Sequence, residues 1–139
     1  MSTLPTDAAG FNLIQKGSLP EFLGIEINLV DADGVRGQLA IKPHHLAPNG
    51  FLHAATVVAL ADTCCGYGCI AQLPVGAKGF TTVELKSNHL GTATTGTIDC
   101  VATPVHLGRT TQVWDATVHT PDGKLMALFR CTQMILWPR

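Results

Sequence analysis

The sequence predicts an α+β domain in which a curved antiparallel sheet wraps around one long helix. Three observations lead there. The stretch NGFLHAATVVALADTCCGYGCIA (49–71) is an apolar run of helical length with a single charge, Asp62. Two extended runs precede it and four runs of strand character follow it. A helix that is apolar all round must be enclosed, and six strands are enough to curl around it.

Residues 1–20 read as a loose lead, broken by Pro5, Gly10, Gly17 and Pro20, with a short helix near Ala8–Lys16; the single domain is expected over 21–139. The lead has no continuous hydrophobic run, which argues against a signal peptide. From Gly24, GIEINLVDADGVRGQLAIKP offers two strands around Asp33-Gly34, a strong hairpin signal. Pro43 and Pro48 bracket an irregular loop, PHHLAPNG, before the apolar helix. FTTVELKSNHL alternates Val83 and Leu85 with Glu84 and Lys86, the period of a half-buried strand. TGTIDCVATPVHL and TTQVWDATVHT meet at Gly108-Arg109, and KLMALFRCTQMILW follows the turn Pro121-Asp122-Gly123. Consecutive strands with tight turns imply an antiparallel meander.

Composition narrows the function classes. The chain of 139 residues is 46% apolar and only 14% charged, thin cover for a small monomer. Some of that surface is expected to meet another subunit, in a homodimer or homotetramer. The net charge of −1 comes without a basic stripe, so no nucleic-acid partner is expected. The apolar run approaches membrane-spanning length, yet it is built from Ala, Cys, Gly and Thr. A central Asp would cost about 2.5–3.5 kcal/mol on insertion scales, so no membrane span is expected. The cysteines Cys64, Cys65, Cys69, Cys100 and Cys131 are odd in number and contain no C-x-x-C pair. They fit small buried hydrophobes in a reducing, cytoplasmic setting.

Asp62 is the residue to explain. Asp is a poor mid-helix residue, and burying its charge unpaired raises its pKa. It either hydrogen-bonds a neighbour such as Thr63, faces solvent on a narrow strip, or faces a pocket as a base or nucleophile. The helix start supplies a second element, because free N–H groups there suit an oxyanion or a polarised carbonyl. Asn49-Gly50 leads in, and His53 lies near the first turn. Ala54 and Asp62 are eight residues apart, so about 12 Å along the axis. One small reacting group cannot touch both, so a shared carbonyl needs the two from different subunits. A metal site from His44, His45, His53 and Asp62 is disfavoured, because adjacent His44 and His45 would point apart on an extended segment. Cysteine nucleophilic catalysis is disfavoured too, since no basic group adjoins Cys65 or Cys69.

The order of elements, with GFLHAATVVALAD, TVELKSNHL and VHLGRTTQVWDATV…DGKLMA, resembles the hotdog-fold acyl-CoA thioesterases of the phenylacetate-degradation type and their aryl-CoA relatives. The resemblance covers roughly 20–136. It implies hydrolysis of a small acyl-CoA, aryl or short-to-medium aliphatic, with no cofactor beyond the CoA of the substrate. Family members carry His-Gly-Gly at the helix start and an acid nine residues after the His, matched here by His53 and Asp62. The acid attacks the thioester carbonyl or activates water, and the residue after the His, here Ala54, gives a backbone N–H to the carbonyl oxygen. A small hydroxyl residue on the third strand is matched by Thr82, and a His of some relatives by His89. Asn49 and Gly50 fall at the substrate-binding lead-in, and Arg109 and Lys86 are candidate cations for the CoA phosphates. Two positions depart from the pattern: Ala47 stands where Asn or Gln is usual, and Gly66 replaces a Ser or Thr four residues after the acid. Those departures favour the alternative of a non-catalytic acyl-CoA-binding or sensor module. Acyl-CoA hydration or dehydration on the same fold is a further alternative, and the spacing from His53 to Asp62 argues against it.

Overall fold

A computed structural model describes residues 3–139. Helix α1 (Ala8–Ile14) and the single turn α2 (Leu19–Phe22) precede the hairpin β1 (Ile25–Asp31) and β2 (Gly34–Ala40). A 3-10 turn, Pro43–His45, leads to the long helix α3 (Ala54–Ala71), followed by β3 (Gly79–His89), β4 (Thr97–Leu107), β5 (Thr111–His119) and β6 (Leu125–Leu136). The expected hairpin closes through Asp31 and Gly34, with Asp31 Oδ1 accepting from the N–H of Asp33 at 2.8 Å.

All six strands form one antiparallel sheet in the order β1-β2-β4-β5-β6-β3. The meander is therefore only partial. β4, β5 and β6 follow one another, but β3 sits beyond β6 at the far edge, and β2 pairs with β4. The physical reason is α3, which lies across the sheet and separates the first hairpin from the strands after it. The long link 90–96 then returns the chain to β2, where Gly96 O accepts from Ile41 N–H at 2.8 Å.

The long helix begins five residues later than the apolar run. Gly50 has φ +87°, in the left-handed region that only glycine adopts freely, and Asn49 Oδ1 accepts from Phe51 N–H at 3.1 Å. These make a turn, and Leu52 bridges to Leu46. Thr56, Val57, Leu60, Ala61, Cys64, Cys65, Gly66, Gly68 and Cys69 are the buried face of α3. Its other side is not fully enclosed by this chain: Ala54 and Ala55 are exposed, and Asp62 and Thr63 are half-buried. By length and composition α3 could cross a membrane, yet half of it is packed inside the domain.

The small residues of α3 have a packing reason. A Cβ at Gly68 would lie 2.5 Å from the Trp114 ring, and one at Gly66 3.0 Å from Phe80 Cζ. The sheet thus curls close against the helix because the helix carries so few side-chain atoms there. All five cysteines are buried and free among Trp114, Leu60, Ile98 and Phe129.

Candidate active site

The start of α3 is tied down from both sides. His45 lies in the 3-10 turn; its Nε2 meets Leu23 O at 2.7 Å and its Nδ1 accepts from Lys42 N–H at 2.9 Å. Burial lowers its pKa, so the ring stays neutral and structural. Its backbone carbonyl accepts from His53 N–H (3.0 Å) and Thr56 Oγ1 (3.0 Å), which fixes where the helix begins. His44 and His45 do not point apart as an extended segment would make them. The 3-10 turn brings their ring centroids to 4.2 Å, and His44 also meets Phe22.

His53 is the N-cap residue. Its Nδ1 accepts from Ala55 N–H at 2.9 Å, which places the proton of a neutral ring on the exposed Nε2. The next donor, the Ala54 N–H, has no acceptor among the described residues. A free amide at the positive end of an 18-residue helix is suited to a developing oxyanion.

Asp62 lies two turns further along the same helix. Its Oδ1 is buried and has no hydrogen-bond partner, and burial raises its pKa. Neither the Thr63 hydrogen bond nor full solvation applies. No cation reaches it: the ion pairs among the described residues are Lys124–Asp122 and Arg130–Asp115. Such a carboxyl can take a proton from water or attack an electrophile.

Thr82 lies on the inner face of β3, and its hydroxyl donates to Gln133 Oε1 at 2.6 Å. Its oxygen keeps a lone pair, while its proton is committed. Gln133 is fully buried and escaped the sequence reading; only an uncharged amide in the strand KLMALFRCTQMILW marks it. Ser87, also inward on β3, has a buried Oγ without a partner and was missed for the same reason.

The other candidates are spread out. Asn49 and Gly50 stay at the exposed lead-in to α3. His89 ends β3 on the same side, where Ala93 O accepts from Leu52 N–H at 3.1 Å. Arg109 is at the opposite end of α3, because Gln112 Nε2 donates to Gln72 O at 2.9 Å just past the helix terminus. Its guanidinium lies 4.3 Å over the Trp137 ring, and Trp137 Nε1 donates to Arg109 O at 3.0 Å. Within one chain, Arg109 and Ala54 are separated by about the 27 Å length of the helix. Lys86 lies apart from the residues at the start of α3. It registers with exposed Arg130, between buried Phe129 and Cys131, and so projects from the outer face, away from α3.

Neither Cys65 nor Cys69 offers a thiolate. Burial pushes Cys69 up to about 12, and the contact of Cys65 with Cys131, together with burial, holds Cys65 well above its usual range.

The family model of the thioesterase superfamily matches residues 49–127, more than half of the chain. A 1,4-dihydroxy-2-naphthoyl-CoA hydrolase of Listeria monocytogenes is 31% identical over 114 residues, covering 82% of this chain and 92% of that protein. The proofreading thioesterase EntH of Cronobacter turicensis is 27% identical, covering 90% of each. Among solved structures, a mutant thioesterase from Pseudomonas aeruginosa superposes with a TM-score of 0.89 at 29% identity, covering 96% of both chains.

Proposed function

This chain belongs to the thioesterase superfamily and has its hotdog fold, and from that premise we propose that it hydrolyses a small acyl-CoA, aryl or short-to-medium aliphatic, to the free acid and CoA. The Ala54 N–H donates to the thioester carbonyl oxygen, with His53 Nε2–H beside it. The partner's Asp62 acts as base: it takes a proton from water as the water oxygen bonds to the carbonyl carbon. Collapse of the tetrahedral oxyanion breaks the C–S bond, and the CoA thiolate leaves and takes up a proton. As nucleophile the same carboxylate would form a mixed anhydride that water then opens. Thr82 and His89 line the path, and Asn49 and Gly50 frame its mouth. Water is the only co-reactant, so no cofactor enters. Five free thiols suit a reducing, cytoplasmic compartment.

One observation carries this reading: a buried carboxyl oxygen with no partner and an amide with no acceptor lie on one helix about 12 Å apart. Two subunits facing one another bring each to the other's counterpart, giving two identical sites in a homodimer. A homotetramer would repeat that unit. Arg109 fits the same picture, since a two-fold axis between antiparallel helices carries the far end of one helix towards the start of the other. There its guanidinium can meet the CoA phosphates.

The experiment is release of free CoA from a panel of acyl-CoAs, comparing the parent with Asp62→Asn. The parent should turn over, and the variant should lose at least about 10²-fold in kcat. Equal rates would remove Asp62 from the reaction, and tight binding without turnover by both proteins would favour the binding module.

A further inference from the structure

The backbone N–H groups from His53 to Thr56 can be accounted for one by one. The His53 N–H donates to His45 O at 3.0 Å, the Ala55 N–H to His53 Nδ1 at 2.9 Å, and the Thr56 N–H to His53 O at 3.0 Å. The Ala54 N–H alone has no acceptor among the described residues. Its neighbours on both sides are committed, so its direction is set by whatever holds His53.

His53 closes a short hairpin. Its N–H meets His45 O, the Ala47 N–H donates to Phe51 O at 2.7 Å, and Gly50 turns the chain between them. The first side of this hairpin is tethered by the His45 ring, which is 1% exposed and hydrogen-bonded through both nitrogens, to Leu23 O just past α2 and to the Lys42 N–H. The carbonyl of the same residue takes a second hydrogen bond from Thr56 Oγ1, buried in the first turn of α3. The second side has a backbone tether, Leu52 N–H to Ala93 O, which no side chain sets. One side chain, that of His45, therefore ties the end of α2 and the segment after β2 to the residue that begins α3.

We propose that His45 is a positioning residue of the reaction: its ring and its carbonyl together aim the Ala54 N–H at the oxyanion. The inference rests on the composite-site reading above and adds a residue that is enclosed and touches no substrate atom. A ring bonded through one nitrogen could swing about that bond, whereas two bonds to separate segments fix its plane and its Cα. The carbonyl leaves from the same Cα, so fixing the ring fixes the acceptor of the His53 N–H. An apolar side chain of similar size would fill the space without setting that orientation. Burial lowers the pKa of the ring, and only a neutral ring can accept from the Lys42 N–H at Nδ1 while donating to Leu23 O from Nε2. The stake is large for a small movement, since a misplacement of about 1 Å can cost about 10²-fold in rate.

The test is a double-mutant cycle on CoA release by the full chain, with His45→Leu, Ala54→Pro and the two together, at a temperature where each is folded. His45→Leu should lower kcat about tenfold or more and leave KM within about twofold, because the amide acts in the transition state. On top of Ala54→Pro the same change should cost less than about twofold, because no N–H remains to be aimed. Thr56→Val releases the second hydrogen bond to the His45 carbonyl and should lower kcat about threefold with KM unchanged. It takes the place of His45→Leu in the cycle if that variant does not fold. Parent-like kcat in either folded variant, a loss that appears in KM instead, or a loss just as large in the Ala54→Pro background would overturn the positioning role. Ala54→Pro at the parent's rate would overturn the composite-site reading itself, which separates the two failures.

Discussion

At Asp62, burial without a partner sets two pH dependences of opposite sense in one carboxyl. As the proposed base Asp62 would act in its ionised form, so kcat/KM should rise with pH along an acidic limb centred above the ordinary carboxylate value. A pH–rate profile checks this, and a limb at the ordinary value or none at all would contradict it. Stability runs the other way. A pKa raised by folding means that the native state binds the extra proton. The contribution of this group is therefore fully present below its unfolded pKa and lost as pH rises through its folded one. Asp62→Asn should then raise Tm at neutral pH and change it little at pH 3, a pattern that thermal unfolding at the two pH values reads directly. A variant that is more stable and inactive is the signature of a residue kept for chemistry. Asp62 was legible in the sequence because one charge in an apolar helix has few explanations. Its missing partner was not legible, since Thr63 was equally placed to supply one.

At the scale of elements, α3 and β3 differ in how much their sequences disclose. The helix was legible from its apolar run, but its start was not. A turn built by Asn49 and Gly50 and a cap made by the His53 ring displace it to Ala54. Those are local hydrogen bonds that periodicity does not register. Gly66 stood out as a lost hydroxyl, and the structure adds a packing reason, the Phe80 ring against it. Gly68 is tighter still: Gly68→Ala drives a methyl into Trp114 and should cost about 1–3 kcal/mol by denaturant unfolding. No loss of stability would mean that the sheet can back away from α3. β3 showed the alternation of a half-buried strand, yet Val83 and Leu85 are exposed in the single chain. Its placement beyond β6 depends on contacts distant in sequence, which the local pattern of FTTVELKSNHL does not encode.

For the whole molecule, the account stands on the claim that each site takes its amide from one subunit and its carboxylate from the other. The thin charged cover of the sequence points to self-association, and the proposed composite site would give it a purpose, since the unmatched amide and the unmatched carboxylate lie on one helix about 12 Å apart. Ala54→Pro isolates the amide cleanly. Proline is at home in the first helical position, its fixed φ suits the turn, and His53 already has the extended backbone required before it. The change removes the N–H and should cost about 10²–10³-fold in kcat without loss of Tm. The most direct measurement mixes Ala54→Pro with Asp62→Asn, each inactive alone, after subunit exchange. In the mixed dimer one site keeps the Ala54 amide of one chain and the Asp62 of the other. Equal amounts should therefore recover about a quarter of the parent's rate of CoA release. Subunit exchange that produces mixed dimers with no recovery of activity would place both groups within a single chain and contradict the account.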